Sequence, residues 1–385
     1  MAGVSFDRTV ENQEIIDLLK LTRNLVMKKK TLDVVTQRHH YPVMNQWFRD
    51  DRIQLEGSTM VEKIIVLDND GTAQAQHVRP FQAIQPSVSD VTAKMTYPLR
   101  RLTGHWSIER NEVLACRGEA QLVNIQSVRR ATMQAHIANT LEKRGFRAPT
   151  DSTDDLNPNG IPYYLPKIST TDAADTTKEA GGHNCHSITY DDGSSTTSTC
   201  LGIDASAEKY KLWRSWGGRW KHDNILDDFD AEDVERMISM HMDLHFEVPK
   251  NATEWASQEF DQYKAHTTKK LLLAFERYVG KNNDNLGADL GRWSGQTVVK
   301  GTPVQWTEEL DSWVNADGNV SHTFLLLNHA YFNVAIMEGD YFRPTGPMND
   351  VQTHDVFTNF EDLQYQFIIT NRRYCGGRLD VEPMT

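Results

Sequence analysis

The residues best suited to chemistry lie in two places. The run Gly181-Gly-His-Asn-Cys-His186, together with Cys200, offers His183, Cys185, His186 and Cys200, all ligand types that zinc accepts. Zinc sites draw on paired ligands at fixed spacings, and this spacing matches none of them; a polar loop collects such residues without a metal. His241 and His245 stand four apart on one face of an expected helix, the spacing of a metalloprotease histidine pair. That chemistry needs the glutamate of His-Glu-x-x-His, and Met242, Asp243 and Leu244 supply none. The chain also lacks a phosphate-binding glycine loop, a dinucleotide fingerprint and a Ser/His/Asp set in a supporting context. The expectation is no catalytic residue, no metal and no cofactor, with a metal-dependent hydrolase using the His/Cys loop as a rival.

Binding chemistry is better represented. Trp213, Trp216 and Trp220 interleave with Arg214, Arg219 and Lys221, a mixture that stacks nucleic-acid bases or fills the centre of a protein interface. The net charge of −12 argues against tight binding by phosphate neutralisation. Trp213, Arg214, Trp216 and Trp220 are therefore expected at a subunit interface. Arg372 and Arg373 are cations that could face DNA or pair with nearby acids, and Arg129 and Arg130 are expected in salt bridges.

These residues must be held by elements legible in the pattern. Met60–Val66 alternates loosely, Leu67-Asp-Asn-Asp-Gly71 has turn chemistry, and Thr72–Phe81 is expected to return as the second arm of a hairpin. A two-stranded ribbon alone is marginal in water, so the hairpin is expected to pack on another chain through Glu62, Lys63, Asp68, Asp70 and Arg79. Val88–Arg110 suits strands. From Gly118, the spacing of Leu122, Ile125, Val128, Met133, Ile137 and Leu141 predicts a long helix closing near Gly145, with Lys143 and Arg144 matching its dipole. Further helices are expected over Glu11–Lys30, over Ala231–His245 behind an Asp230 N-cap, and over Gln258–Gly280. Strands are expected over Thr297–Pro303, Phe324–Ala330, Tyr331–Gly339 and, last, Leu363–Thr370. Thr150–Asp204 is a polar stretch expected as an inserted loop.

The chain has 385 residues, 39% hydrophobic and 24% charged, which is globular composition in class α+β. No apolar run approaches the roughly 20 residues that span a bilayer, and the N-terminus has no secretory pattern, so a soluble protein folding in a cytosol is expected. Scattered cysteines without a C-x-x-C pair are expected as thiols.

The order of these marks resembles the tailed-bacteriophage major capsid proteins of the Hong Kong 97-like fold. The resemblance rests on the hairpin Met60–Phe81, on Gly118-Glu-Ala-Gln-Leu-Val-Asn-Ile125 opening the helix, and on Asp284–Leu290, Val298–Val304 and Leu310-Asp311. It rests also on the terminal Gln366–Leu379 with its Asn371-Arg-Arg373 cluster. It implies an N-terminal arm (1–55), an extended E-loop (56–87), a peripheral domain on a spine helix (88–149), a polar insertion (150–205), an axial domain (206–330) and returning C-terminal strands (331–385). It further implies an icosahedral phage head of pentamers and hexamers, a homo-oligomer enclosing double-stranded DNA without sequence-specific binding. Portal, scaffolding or decoration proteins would be partners, no membrane would be involved, and the subunit would be made in the bacterial host cytoplasm and end in the virion. An encapsulin-like nanocompartment shell is the rival within the same fold. Some members of the family cross-link an E-loop lysine, but no mark here assigns that role to Lys63.

Overall fold

A computed structural model describes residues 38–66, 77–83, 92–115, 119–168, 181–191, 198–222, 225–246, 262–281, 297–313, 320–349 and 355–381. The expected helix over Glu11–Lys30 and the turn Leu67–Gly71 lie outside these residues. The chain divides into two compact units.

The first unit combines Arg101–Leu141 with Ile336–Tyr365. Arg100–Glu109 and Arg343–Asn349 both pair with the strand Val356–Ile369, the latter antiparallel with Arg343 opposite Asp362 and Asn349 opposite Phe357. Period-two alternation buries Trp106 and Ile108 on one face and leaves Arg101, Thr103, His105 and Ser107 exposed on the other. The helix Glu119–Gly145 covers the apolar face, and its 27 residues rise about 40 Å. Gly104 permits the close approach: a Cβ there would stand 2.6 Å from Ile137 Cδ1. Met133 and Ile137 are buried as their spacing predicts. Arg129 donates to the Ser107 carbonyl and to Glu112, each at 2.6 Å, and Arg130 Nε donates to Glu361 Oε1 at 2.6 Å. Both expected salt bridges of this helix are present.

The second unit combines His40–Arg100, Glu142–Ala335 and Gln366–Thr385. Its seven-stranded sheet runs in the order Val298–Val299, Thr302–Trp306, Tyr263–Thr267, Phe324–Asn328, Gly376–Asp380, Ser215–Arg219, Gly182–Cys185. Two of the pairings are parallel, Thr302–Trp306 with Tyr263–Thr267 and Gly376–Asp380 with Ser215–Arg219. The helices Ala231–Leu244 and Lys269–Lys281 bury Met237, Met240, Leu244, Leu271 and Phe275 in one cluster with Trp216, Trp220, Phe324 and Leu379. Asp230 caps the first of these as expected, accepting from the amides of Glu232 at 2.9 Å and Asp233 at 3.2 Å. No described helix is long and apolar enough to cross a membrane.

Three expectations are corrected. The helix placed over Gln258–Gly280 is a strand, Tyr263–Thr267, followed by the helix Lys269–Lys281; Tyr263, Ala265 and Thr267 face the core, so sheet packing overrides the helical reading. Leu363–Thr370 is not the last strand, because Gly376–Asp380 follows and lies fully buried in the middle of the sheet. Most consequential, Met60–Val66 finds its partner among the described residues beyond the expected Thr72–Phe81, of which 72–76 lie outside the described residues. Its antiparallel partner is Thr92–Pro98, from Met60 opposite Pro98 to Val66 opposite Thr92. That register sets Val61 across from Tyr97 and next to Met95, and all three are buried.

Candidate subunit-interface site

The ribbon has a rooted end and a presented face. At the root, Tyr97 donates its hydroxyl to the Ile369 carbonyl at 2.7 Å, and the Leu99 amide donates to Thr59 at 2.9 Å. On the opposite face Met60 is 47% and Ile64 75% exposed. Between them Glu62 meets Lys94 of the paired strand at 2.5 Å. Lys63, on the rooted face, donates to Gln54 Oε1 at 2.6 Å and lies 3.5 Å from Glu56. Arg79 is exposed in a turn where its amide donates to Gln82 Oε1 at 3.0 Å, beside exposed Val78 and Phe81. Phe81 takes φ of 67°, a left-handed conformation that a large side chain rarely adopts. Asp68 and Asp70 lie outside the described residues. Of the five expected ribbon residues, Glu62, Lys63 and Arg79 are described, and Glu62 and Lys63 have ion-pair partners within the subunit.

The tryptophans go the other way. Trp213, Trp216 and Trp220 are 2%, 0% and 1% exposed within their own subunit, which corrects their expected place at an interface. The indole of Trp216 donates to Asp243 at 3.0 Å and that of Trp220 to the His322 carbonyl at 2.9 Å. Arg214 also turns inward, donating to the carbonyls of Ala205 at 2.9 Å and Ser206 at 3.1 Å. Gly217 and Gly218 make the packing possible: a Cβ on Gly218 would stand 2.8 Å from Leu379, and one on Gly217 would overlap Cys185 Sγ.

Arg372 is fully buried and faces no DNA. Its guanidinium donates to the carbonyls of Tyr164 at 2.9 Å, His186 at 3.1 Å and Ser187, tying the polar segment to the chain's end. Arg373 is half-buried with its guanidinium 5.1 Å from the Phe246 ring, and burial lowers its pKa. The polar segment that carries His183, Cys185 and His186 is thus part of the fold. Among the described residues these three and Cys200 do not form a ligand group. Burial, ahead of the Arg373 charge, pulls His183 down to about 4, and the buried thiols of Cys200 and Cys375 are pushed up, the latter to about 12. Cys185, Cys200 and Cys375 are all buried, the setting in which a thiol is inert. His241 and His245 stack at 4.2 Å, with His241 on Thr302 and His245 on the His241 carbonyl; neither pairs with a carboxylate base in those contacts.

One group escaped sequence reading. His222, Asp230 and Asp233 bring ligand-type atoms within 4.8 Å of one another. The signal was the Asp-x-x-Asp spacing ahead of the helix, and it marks a cap: Asp233 accepts from the amides of Lys221 at 3.1 Å and Asp230 at 3.3 Å and holds His222 at 3.1 Å. With Lys221 bound to Glu232 beside it, the site already carries its own cation.

No family model and no curated sequence matches the chain. Among solved structures, the cyanophage A-1(L) capsid asymmetric unit is similar at TM-score 0.55 and 11% identity, over 94% of this chain and 98% of that one. The capsid of the native GTA particle aligns at TM-score 0.49 and 13% identity, over 92% and 95%. The first likeness spans nearly the whole of both chains, and the fold is that of a phage capsid subunit, mixed helix and sheet.

Proposed function

We infer that the protein is the major capsid protein of a tailed phage, a structural subunit that assembles into a closed icosahedral shell around double-stranded DNA. The observation that carries this reading is the ribbon of Met60–Val66 and Thr92–Pro98, rooted in its own subunit and offering exposed Met60 and Ile64 on its free face, within a chain of capsid fold. A closed shell supplies every ribbon with an identical neighbour, which is how a symmetric assembly covers such a surface. In this reading the long helix Glu119–Gly145 is the spine of the peripheral domain, the seven-stranded unit is the axial domain, and the ribbon is the E-loop, whose second strand is Thr92–Pro98. Pentamers and hexamers of this one chain form the head, with portal, scaffolding or decoration proteins as further partners. The buried tryptophans belong to the subunit's core and Arg372 to its internal bracing. The subunit has a structural role and no catalytic one.

The test shortens the ribbon without uprooting it. Val66 stands opposite Thr92, so residues 67–91 can be replaced by Asn-Gly, a two-residue turn suited to that geometry. The expected product is a folded subunit, with native circular dichroism and melting, that forms no shells under conditions where the full chain does. Shells of normal size from the shortened chain would overturn the reading. Full-length shells containing protein cargo and no DNA would assign the fold to a nanocompartment instead.

A further inference from the structure

Four side chains from separate segments form one line through the core of the second unit. Trp47 ends the short helix Pro42–Trp47, His329 begins the turn His329–Tyr331, His266 sits in the strand Tyr263–Thr267, and Thr307 precedes the turn Glu308–Ser312. Their exposures are 0%, 1%, 0% and 3%. Trp47 Nε1 lies 3.0 Å from His329 Nδ1, His329 Nε2 lies 3.1 Å from His266 Nε2, and His266 Nδ1 lies 3.0 Å from Thr307 Oγ1.

One chemical fact orients every bond in this line: an indole N–H can only donate. His329 Nδ1 must therefore accept, which puts its proton on Nε2. That proton points at His266 Nε2, which must accept in turn. His266 then carries its proton on Nδ1 and donates to the Thr307 hydroxyl. The two imidazoles are neutral and hold opposite tautomers.

Neither ring can take a second proton in place. On His329 Nδ1 the proton would face the indole N–H; on His266 Nε2 it would face the His329 N–H. Either way donor opposes donor in a dry site, and a bond must break. Among the described residues no anion acts on either ring. Arg52 donates to the His329 carbonyl and to Gln262, Lys264 disfavours a charge on both rings and His40 one on His266, Phe146 meets His266 edge-on, and Phe332 stacks on Trp47. Burial first, then these like charges, hold His266 down to about 3 and His329 well below its ordinary value.

The helix that Trp47 ends is six residues long and cannot persist unaided. At its other end Glu142, 1% exposed, accepts from the amides of Val43 at 3.0 Å and Met44 at 3.1 Å. The helix is thus pinned at both ends by buried side chains.

We propose that the Trp47–His329–His266–Thr307 line is a proton-sensitive latch: neutral locked tautomers hold Pro42–Trp47 on the core, and a proton taken from solvent by either imidazole releases that helix ahead of the rest of the subunit.

Two measurements on the full-length protein test this. In histidine 15N spectra at neutral pH, His329 should be protonated at Nε2 only and His266 at Nδ1 only; reversed tautomers or an imidazolium at either site would overturn the latch. Hydrogen exchange, corrected for the intrinsic rate, should show protection across residues 41–52 falling at least about a hundredfold between pH 7 and about pH 4.5, while the seven-stranded sheet stays protected. His329→Gln can accept from Trp47 and donate to His266 without titrating, so its loss of protection should be about a hundredfold smaller. An equal loss in the variant, or release only with global unfolding, would sink the proposal.

Discussion

The ribbon of Met60–Val66 and Thr92–Pro98 and the strand Ser215–Arg219 both carry apolar side chains and use them in opposite ways. The ribbon buries one face, Val61, Met95 and Tyr97, and spends the other, Met60 and Ile64, on solvent. The strand Ser215–Arg219 has both edges paired, to Gly376–Asp380 and to Gly182–Cys185, and it is buried from Ser215 to Gly218, with Trp216 packed in one cluster with Met240 and Leu379. Apolar residues on a strand that other elements of the subunit cover belong to the core. Among the described residues nothing covers Met60 and Ile64 on the ribbon, and the proposed shell would supply that cover from a neighbouring subunit. The interface signal thus lies in which element lacks a neighbour, and not in which element is richest in aromatic residues.

Trp216→Ala should do the most damage, about 3–5 kcal/mol of subunit stability in a urea titration, through the cavity left beside Met240 and Leu379. A loss below about 1 kcal/mol would return this tryptophan to the surface and break the contrast. Arg372→Ala comes next at about 3 kcal/mol, since it strips donors from three carbonyls; Arg372→Lys should not restore it, because an ammonium cannot span them.

Acid should weaken the subunit in a defined window. His266 is neutral when folded, with its pKa at about 3, and ordinary when unfolded, so the unfolded chain binds the extra proton first as pH falls. Its contribution is fully present above about pH 6.5 and drains away toward pH 3, amounting to about 2–3 kcal/mol lost at pH 4.5. Denaturation midpoints that do not move between pH 7 and 4.5 would contradict the buried neutral pair.

Ile64→Ser carries the smallest effect on folding and the sharpest on assembly. Subunit stability should change by no more than about 0.5 kcal/mol, as for an exposed site, while shell yield falls. Lys94→Ala removes an exposed pair with Glu62 and should cost the subunit only about 0–1 kcal/mol.

Much of the fold was legible where the signal is local. The helix Glu119–Gly145 followed from spacing and the cap at Asp230 from side-chain chemistry, while Arg129 and Arg130 were expected in salt bridges whose partners, Glu112 and Glu361, only the structure names. The first ribbon strand was readable, but its partner was not. Thr72–Phe81 was nearest in sequence, whereas the true register is chosen by where Met95 and Tyr97 find cover, at the Ile369 carbonyl among other places. The tryptophans were misplaced for the same reason, since Ser215–Arg219 pairs with residues some 160 positions away, a parallel pairing that no short window reveals. Of the candidate interface, Glu62, Lys63 and Arg79 were named, yet Met60 and Ile64, which carry its apolar surface, read as ordinary strand residues.

Electron microscopy of the purified full-length chain, beside the chain with residues 67–91 replaced by Asn-Gly, tests the central claim most directly. Closed shells from the first and folded, unassembled subunits from the second are the predicted result. A full-length chain that stays monomeric at high concentration, or a shortened chain that still closes shells, would contradict the account.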